Sequence, residues 1–328
     1  MKQEKLPFPE LESSVKTYKT SFVNYEIYHD ESIKDGYWHG MLLIPCEQKK
    51  SFYKLLQDER KKYQYDMKFS FKDIDSKGEK FYLADSWLCL AIGFLRSKLN
   101  KGKHIIGTRY EKKFGSYPYI LSNNYLGAKF ILFRVADNHQ KMTYFKDKVC
   151  NIETTARMGL KGGLHFFGSE KNPIHIEKIH FDGHEHYLRD LDKDRIIKKI
   201  NGLRSYCSFS EKDLFDTRSS NPKNDGSQDR IDCEFLLLTD LLIGSFRVAL
   251  TKEENMYKRK LGRHAELILE RLTKGPKRMK NSRWANSFWL SQCELIQNNW
   301  VFEELSIIKS KHKNPMQIYI EFLNKMFP

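Results

Sequence analysis

The stretch VNYEIYHD, residues 23–30, mixes aromatic and β-branched residues in the manner of a strand. Lys34, Asp35 and Gly36 are turn formers, and WHGMLLIP, residues 38–45, then reads as the returning strand of a β-hairpin. Asp30 closes the first strand, with Glu31 and Ser32 behind it. Ligands at strand ends face a crevice, which is where a metal site is built. Asp also caps hairpin ends, so the spacing leaves a metal ligand and a turn residue both open.

Outward from the hairpin the chain alternates helical and strand patterns. Residues 47–63 place Phe52, Leu55, Leu56 and Arg60 at helical intervals, and residues 67–71 read as a short strand. Residues 81–99 form a strong helical pattern through Leu83, Trp87, Leu90, Ala91 and Phe94, ended by Asn100 and Gly102. Strands are expected at 104–108, 130–135 and 174–181, with a turn-rich loop over 115–127. Residues 143–160 carry Phe145, Val149, Ile152 and Ala156 on one helical face, with Gly162 and Gly163 as the stop. A helix over 194–203 and a short strand over 206–209 lead into DTRSSNPKNDGSQDR, residues 216–230, which has almost nothing to bury and should be mobile. Residues 233–250 are apolar almost all round, the mark of a helix packed between layers. The alternation predicts an α/β core over residues 1–250. From Thr251 the pattern turns helical, basic at Lys258 to Lys260 and Lys274 to Lys280, and aromatic at Trp284, Phe288, Trp289 and Trp300. It predicts a basic helical C-terminal subdomain over 251–328.

The 328 residues can bury a substantial core without disulfides. The six cysteines are scattered, with no close pair to hold zinc or form a redox dithiol. Residues 1–14 lack the apolar centre of a signal peptide, so a cytoplasmic protein is expected. Residues 235–250 are too short for a membrane span and are interrupted by Asp240 and Arg247, so no membrane association is expected. The net charge of +15, from 57 Lys and Arg against 42 Asp and Glu, favours a polyanionic partner such as RNA or DNA. A solvated basic surface accounts for the same charge without a partner.

The acidic positions narrow the chemistry. Asp182 ends IHIEKIHF and precedes Gly183, again a carboxylate at a strand terminus. Asp240 lies inside LLLTDLLIGSF, where an uncompensated ion would cost several kcal/mol, so a metal, a basic partner or a local hydrogen bond must answer it. Gly244, one turn on, would admit a backbone or substrate to the same face. Asp66 stands two residues before Lys68, which could orient a phosphate, and Glu153 borders an apolar helix face. Each of these three is also an ordinary surface residue type. His175, His180, Asp182, His184 and His186 offer a zinc alternative if the strand continues past Gly183. No nucleophile elbow and no phosphate-cradling Gly-rich loop is present.

Tyr28-His29-Asp30-Glu31-Ser32, Asp66-Met67-Lys68, Ile179-His180-Phe181-Asp182 and residues 238–244 (LTDLLIG), in that order, resemble the successive motifs of the family called domain of unknown function thirty-eight hundred. The resemblance spans residues 23–250. It implies a ribonuclease H-like fold, a mixed sheet flanked by helices, with two Mg²⁺ or Mn²⁺ ions held by Asp30, Asp182 and Asp240. Ile33 stands where that family has Gly, Asp66 where it has Glu, and Leu237 and Thr239 where it has Gln and Ala. The expected function is a metal-dependent nuclease with Asp30, Glu31, Asp66, Lys68, Glu153, Asp182 and Asp240 as its candidate site. The alternatives are a non-catalytic module binding nucleic acid or a protein, and a C-terminal surface serving a protein partner or a homo-oligomer.

Overall fold

In the computed structural model, which describes residues 23–95, 98–100, 103–105, 120–121, 127–136, 148–168, 173–182, 196, 200, 207–211, 213–218, 229–251, 253–272, 287–297 and 299–305, the opening hairpin lies at the middle of the sheet. β1 (Val23–Ser32) and β2 (Tyr37–Pro45) pair antiparallel. Apart from them, β3 (Lys98–Asn100), β4 (Lys103–Ile105) and β5 (Ile120–Leu121) make a small antiparallel sheet. In the main sheet, β6 (Lys129–Val135) pairs antiparallel with β2, and β7 (Ile174–Asp182) pairs parallel with β1 on the other side. β8 (Cys207–Phe209) and β9 (Phe215–Arg218) both run parallel to β7, one at each end of it. β10 (Phe288–Ile296) pairs parallel with β6, and β11 (Asn299–Glu304) returns along β10. The result is eight strands in the order β11-β10-β6-β2-β1-β7-β8, with β9 beside β7.

Among the described residues five helices flank this sheet: α1 (Lys49–Tyr63), α2 (Glu79–Leu95), α3 (Lys148–Phe167), α4 (Asp229–Leu250) and α5 (Met256–Leu272). Side chains alternate along a strand, so β1 and β2 present two different surfaces. Tyr28, Trp38, Leu42 and Ile44 pack beneath α1, α2, α4 and α5 in one core. Tyr25, Ile27, Met41 and Leu43 pack on the opposite face against Ile152, Ala156, Leu160 and Leu164 of α3. α4 lies very close to the hairpin. A Cβ on Gly40 would sit 2.3 Å from Cγ1 of Ile243, so only glycine permits that approach.

The hairpin, α1, β6 and α4 follow the sequence reading closely, and four expectations are corrected. Residues 67–71 form no strand. Their neighbourhood is pulled aside by buried Arg60, which bonds Glu234 at 2.7 Å and donates from Nη1 to the carbonyls of Tyr65 and Met67. Gly162 and Gly163 do not stop α3, which runs on to Phe167. At Gly163 the missing side chain lets the helix lie against Ile131, 2.2 Å from where a Cβ would be. Part of the expected 216–230 loop is ordered, as β9 at one end and the first turn of α4 at the other. Residues 219–228 lie outside the described residues. Finally, the described part of 251–328 does not form a separate helical subdomain: α5 packs into the main core, and β10 and β11 complete the main sheet. Trp284 lies outside the described residues, as does most of the 194–203 helix. No helix among the described residues is long and apolar enough to cross a membrane.

Candidate functional site

The period-two alternation of β1 puts Glu26, Tyr28 and Asp30 on the face covered by α4. Asp30 lies opposite Gly40 of β2, and His29 opposite Phe181 of β7, so Asp182 one step further falls beside Asp30 on the same face. Above them, Thr239 of α4 directs its hydroxyl toward the Tyr28 carbonyl at 3.4 Å, which hangs the next residue, Asp240, over the same strand ends. Three carboxylates far apart in sequence are thereby brought to one corner between β1, β7 and α4.

Their electrostatics follow from that placement. Asp30 is 9 % exposed, and burial pushes its carboxyl well above the usual carboxylate range. The charges of Asp240 and Asp182 add to that, against a 2.7 Å hydrogen bond donated by the Glu31 N–H. Asp240 is pushed up to about 6, first by burial and then by Asp182 and Asp73. The Phe71 N–H, donating to its Oδ2 at 2.6 Å, and the charge of Lys72 act in the opposite sense. Phe71 reaches this position because Gly244 has no side chain: a Cβ there would lie 2.1 Å from the Phe71 ring. The turn at Phe71–Asp73 is itself fixed by Asp73, whose carboxylate accepts from the Ser70 backbone and hydroxyl at 3.1 and 2.9 Å. The space beside Gly244 is therefore filled by Phe71.

As a donor set, three carboxylates suit a hard divalent cation, which would lift the repulsion that raises Asp30 and Asp240. Their oxygens do not converge on one point. Among the described residues, the only His, Cys, Asp and Glu trio whose ligand atoms all lie within 4.8 Å of one another is Glu26, His180 and Asp232.

The other expected site residues stand elsewhere. Glu31 points to the opposite face of β1, where the Tyr37 hydroxyl bonds it, and it reaches the cluster only through its charge and its backbone N–H. Asp66 is exposed and meets Arg230 at 3.4 Å, and Lys68 is exposed as well; without the expected strand, nothing turns either toward Asp30. Glu153 is buried on α3, across the sheet from α4. Of the histidine set, His175 bonds Ser208 Oγ at 2.8 Å, while His184 and His186 lie outside the described residues.

A second polar cluster went unread in the sequence. Glu26 Oε2 accepts from the Tyr28 hydroxyl at 2.9 Å, from His180 Nε2 at 2.8 Å and from Lys49 Nζ at 2.6 Å. Asp232 Oδ1 accepts from the same ammonium at 2.6 Å and lies 2.8 Å from the Tyr28 hydroxyl, whose single proton the two carboxylates share. Burial alone would raise the Glu26 carboxyl, but His180 and Lys49 together draw it down to about 2. The signal was available: Glu26 and Asp30 are four apart on a strand, and Asp232 and Asp240 are two turns apart on a helix. No family model, curated protein or solved structure matches the chain.

Proposed function

We propose that the chain is a divalent-metal-dependent nuclease with a ribonuclease H-like core, acting on RNA or DNA through Asp30, Asp182 and Asp240. The strand order supports the fold reading: antiparallel β6, β2 and β1 are continued by β7, β8 and β9 parallel to β1, and a carboxylate-bearing helix follows. The observation that carries the functional reading is the placement of three carboxylates from β1, β7 and α4 at one buried corner, where they perturb one another's ionisation. Asp30 is raised by burial and then by Asp240 and Asp182, and Asp240 by burial and then by Asp182 and Asp73, an arrangement that a bound cation would stabilise. A pair of Mg²⁺ or Mn²⁺ ions supplies an activated water and charge stabilisation for the leaving oxygen of a phosphodiester.

The chain's own groups hold the ligands in place. The Glu31 N–H fixes Oδ1 of Asp30, and the Phe71 N–H fixes Oδ2 of Asp240. Exposed Lys72 stands at the rim, where an ammonium meets a backbone phosphate. The net charge of +15 draws a polyanion toward such a pocket. The test is cleavage of labelled single-stranded and duplex RNA and DNA with Mn²⁺ or Mg²⁺. Wild-type activity should depend on the ion and fall at least about 100-fold in Asp30→Ala and Asp240→Ala, the scale on which catalytic electrostatics act. Equal rates in all three proteins would dismiss the proposal.

One observation favours a second reading, a non-catalytic module that binds nucleic acid or a protein: Asp240 already accepts from Phe71, and the three aspartates do not converge. In that case Mn²⁺ produces no calorimetric heat, and nucleic-acid binding survives Asp30→Ala.

A further inference from the structure

We propose that Glu26, His180 and Asp232 form a second cation site, suited to Zn²⁺, which the Lys49 ammonium fills in the metal-free protein. The site is independent of the aspartate corner. It comes from three elements, with Glu26 on β1, His180 on β7 and Asp232 on α4, and Lys49 enters from the first turn of α1.

The geometry has the dimensions of a small coordination sphere. His180 Nε2 lies 2.8 Å from Glu26 Oε2 and 3.8 Å from Asp232 Oδ1. Tetrahedral ligands about 2.0–2.2 Å from zinc stand roughly 3.4 Å apart, so these separations bracket the required value. Lys49 Nζ is 2.6 Å from both carboxylate oxygens, which marks the point where positive charge is required. Its side chain is 19 % exposed and sits on a flexible four-carbon stem, so the ammonium can leave toward solvent when an ion arrives. The Tyr28 hydroxyl, within 2.9 Å of both carboxylates, is available as a fourth donor or as the partner of a bound water.

An unsatisfied atom points the same way. His180 is 1 % exposed, and its Nδ1 is buried without a hydrogen bond. With Nε2 donating to Glu26, Nδ1 has no hydrogen bond, and Asp216 Oδ2, which also meets Lys178 Nζ at 3.5 Å, lies 3.8 Å behind it. A metal on Nε2 reverses the tautomer, so that Nδ1–H faces Asp216, the carboxylate–histidine–metal order in which an outer carboxylate orients a ligating imidazole. The imidazole in the set favours Zn²⁺ over Mg²⁺.

The experiment uses the full chain carrying Asp30→Asn and Asp240→Asn, which weakens the aspartate corner and separates the two sites. Equilibrium dialysis against Zn²⁺ should give one bound equivalent. Adding Lys49→Met removes the resident competitor and should tighten binding at least tenfold. Adding His180→Gln instead should weaken it at least tenfold, the scale expected for losing a ligand or its support. If His180→Gln does not fold, Asp232→Asn takes its place. Absence of bound Zn²⁺, or binding indifferent to both Lys49→Met and the ligand substitution, overturns the proposal. Neither outcome touches the nuclease reading, which stands or falls on Asp30 and Asp240 with Mg²⁺ or Mn²⁺.

Discussion

Asp240 sits in an apolar helix, and its carboxyl is raised to about 6 against about 3.9 for a free aspartate. A carboxyl whose pKa is raised on folding binds its proton more tightly in the folded state, so the contribution of Asp240 to the stability of the metal-free protein is fully present at low pH. That contribution is lost as pH climbs from about 4 through 6. Asp30 is shifted in the same sense and extends that loss further upward. Asp240→Asn keeps an oxygen for the Phe71 N–H while removing the charge. In chelator, it should therefore unfold at higher urea than wild type at pH 7, by on the order of 2 kcal/mol, and match it near pH 4. Equal urea midpoints at pH 7 would contradict the shift. Asp240 was legible in the sequence because an ion amid leucines demands compensation. The compensating Phe71 N–H was not, since a backbone donor in an irregular turn leaves no mark on residue type.

Among elements, the approach of α4 to the hairpin decides where Asp240 hangs, and Gly40 permits that approach. Gly40→Ala should cost about 1–3 kcal/mol, the usual penalty of forcing a methyl into a filled core. It should also weaken Mn²⁺ binding, because α4 must lift away from β1. A denaturation curve superimposable on wild type would show that the helix yields freely. Helices and the central hairpin were readable because their apolar periods are long and unbroken. The glycine pair in α3 was misread as a stop. Gly163 serves close packing on Ile131, and the same residue type ends a helix when no sheet lies beneath it. The 67–71 stretch failed for the opposite reason: its strand-like residues lie beside carbonyls tied to Arg60, a partner that local pattern cannot reveal.

On the scale of the whole molecule, β10 and β11 belong to the main sheet. Phe288, Leu290, Cys293 and Leu295 are buried in it, so residues 1–272 alone should aggregate, as light scattering would detect. A monodisperse fragment that unfolds cooperatively would show that the sheet is complete without β10 and β11. The sequence pattern from Thr251 onward reads as helical, because pairing with β6, more than 150 residues earlier, has no local signature. Consequently β6 leaves the ribosome long before its parallel neighbour exists. Until residues 288–296 are translated, the nascent sheet carries an open edge beside Phe130 and Phe133, exposing there an apolar surface that the finished fold covers.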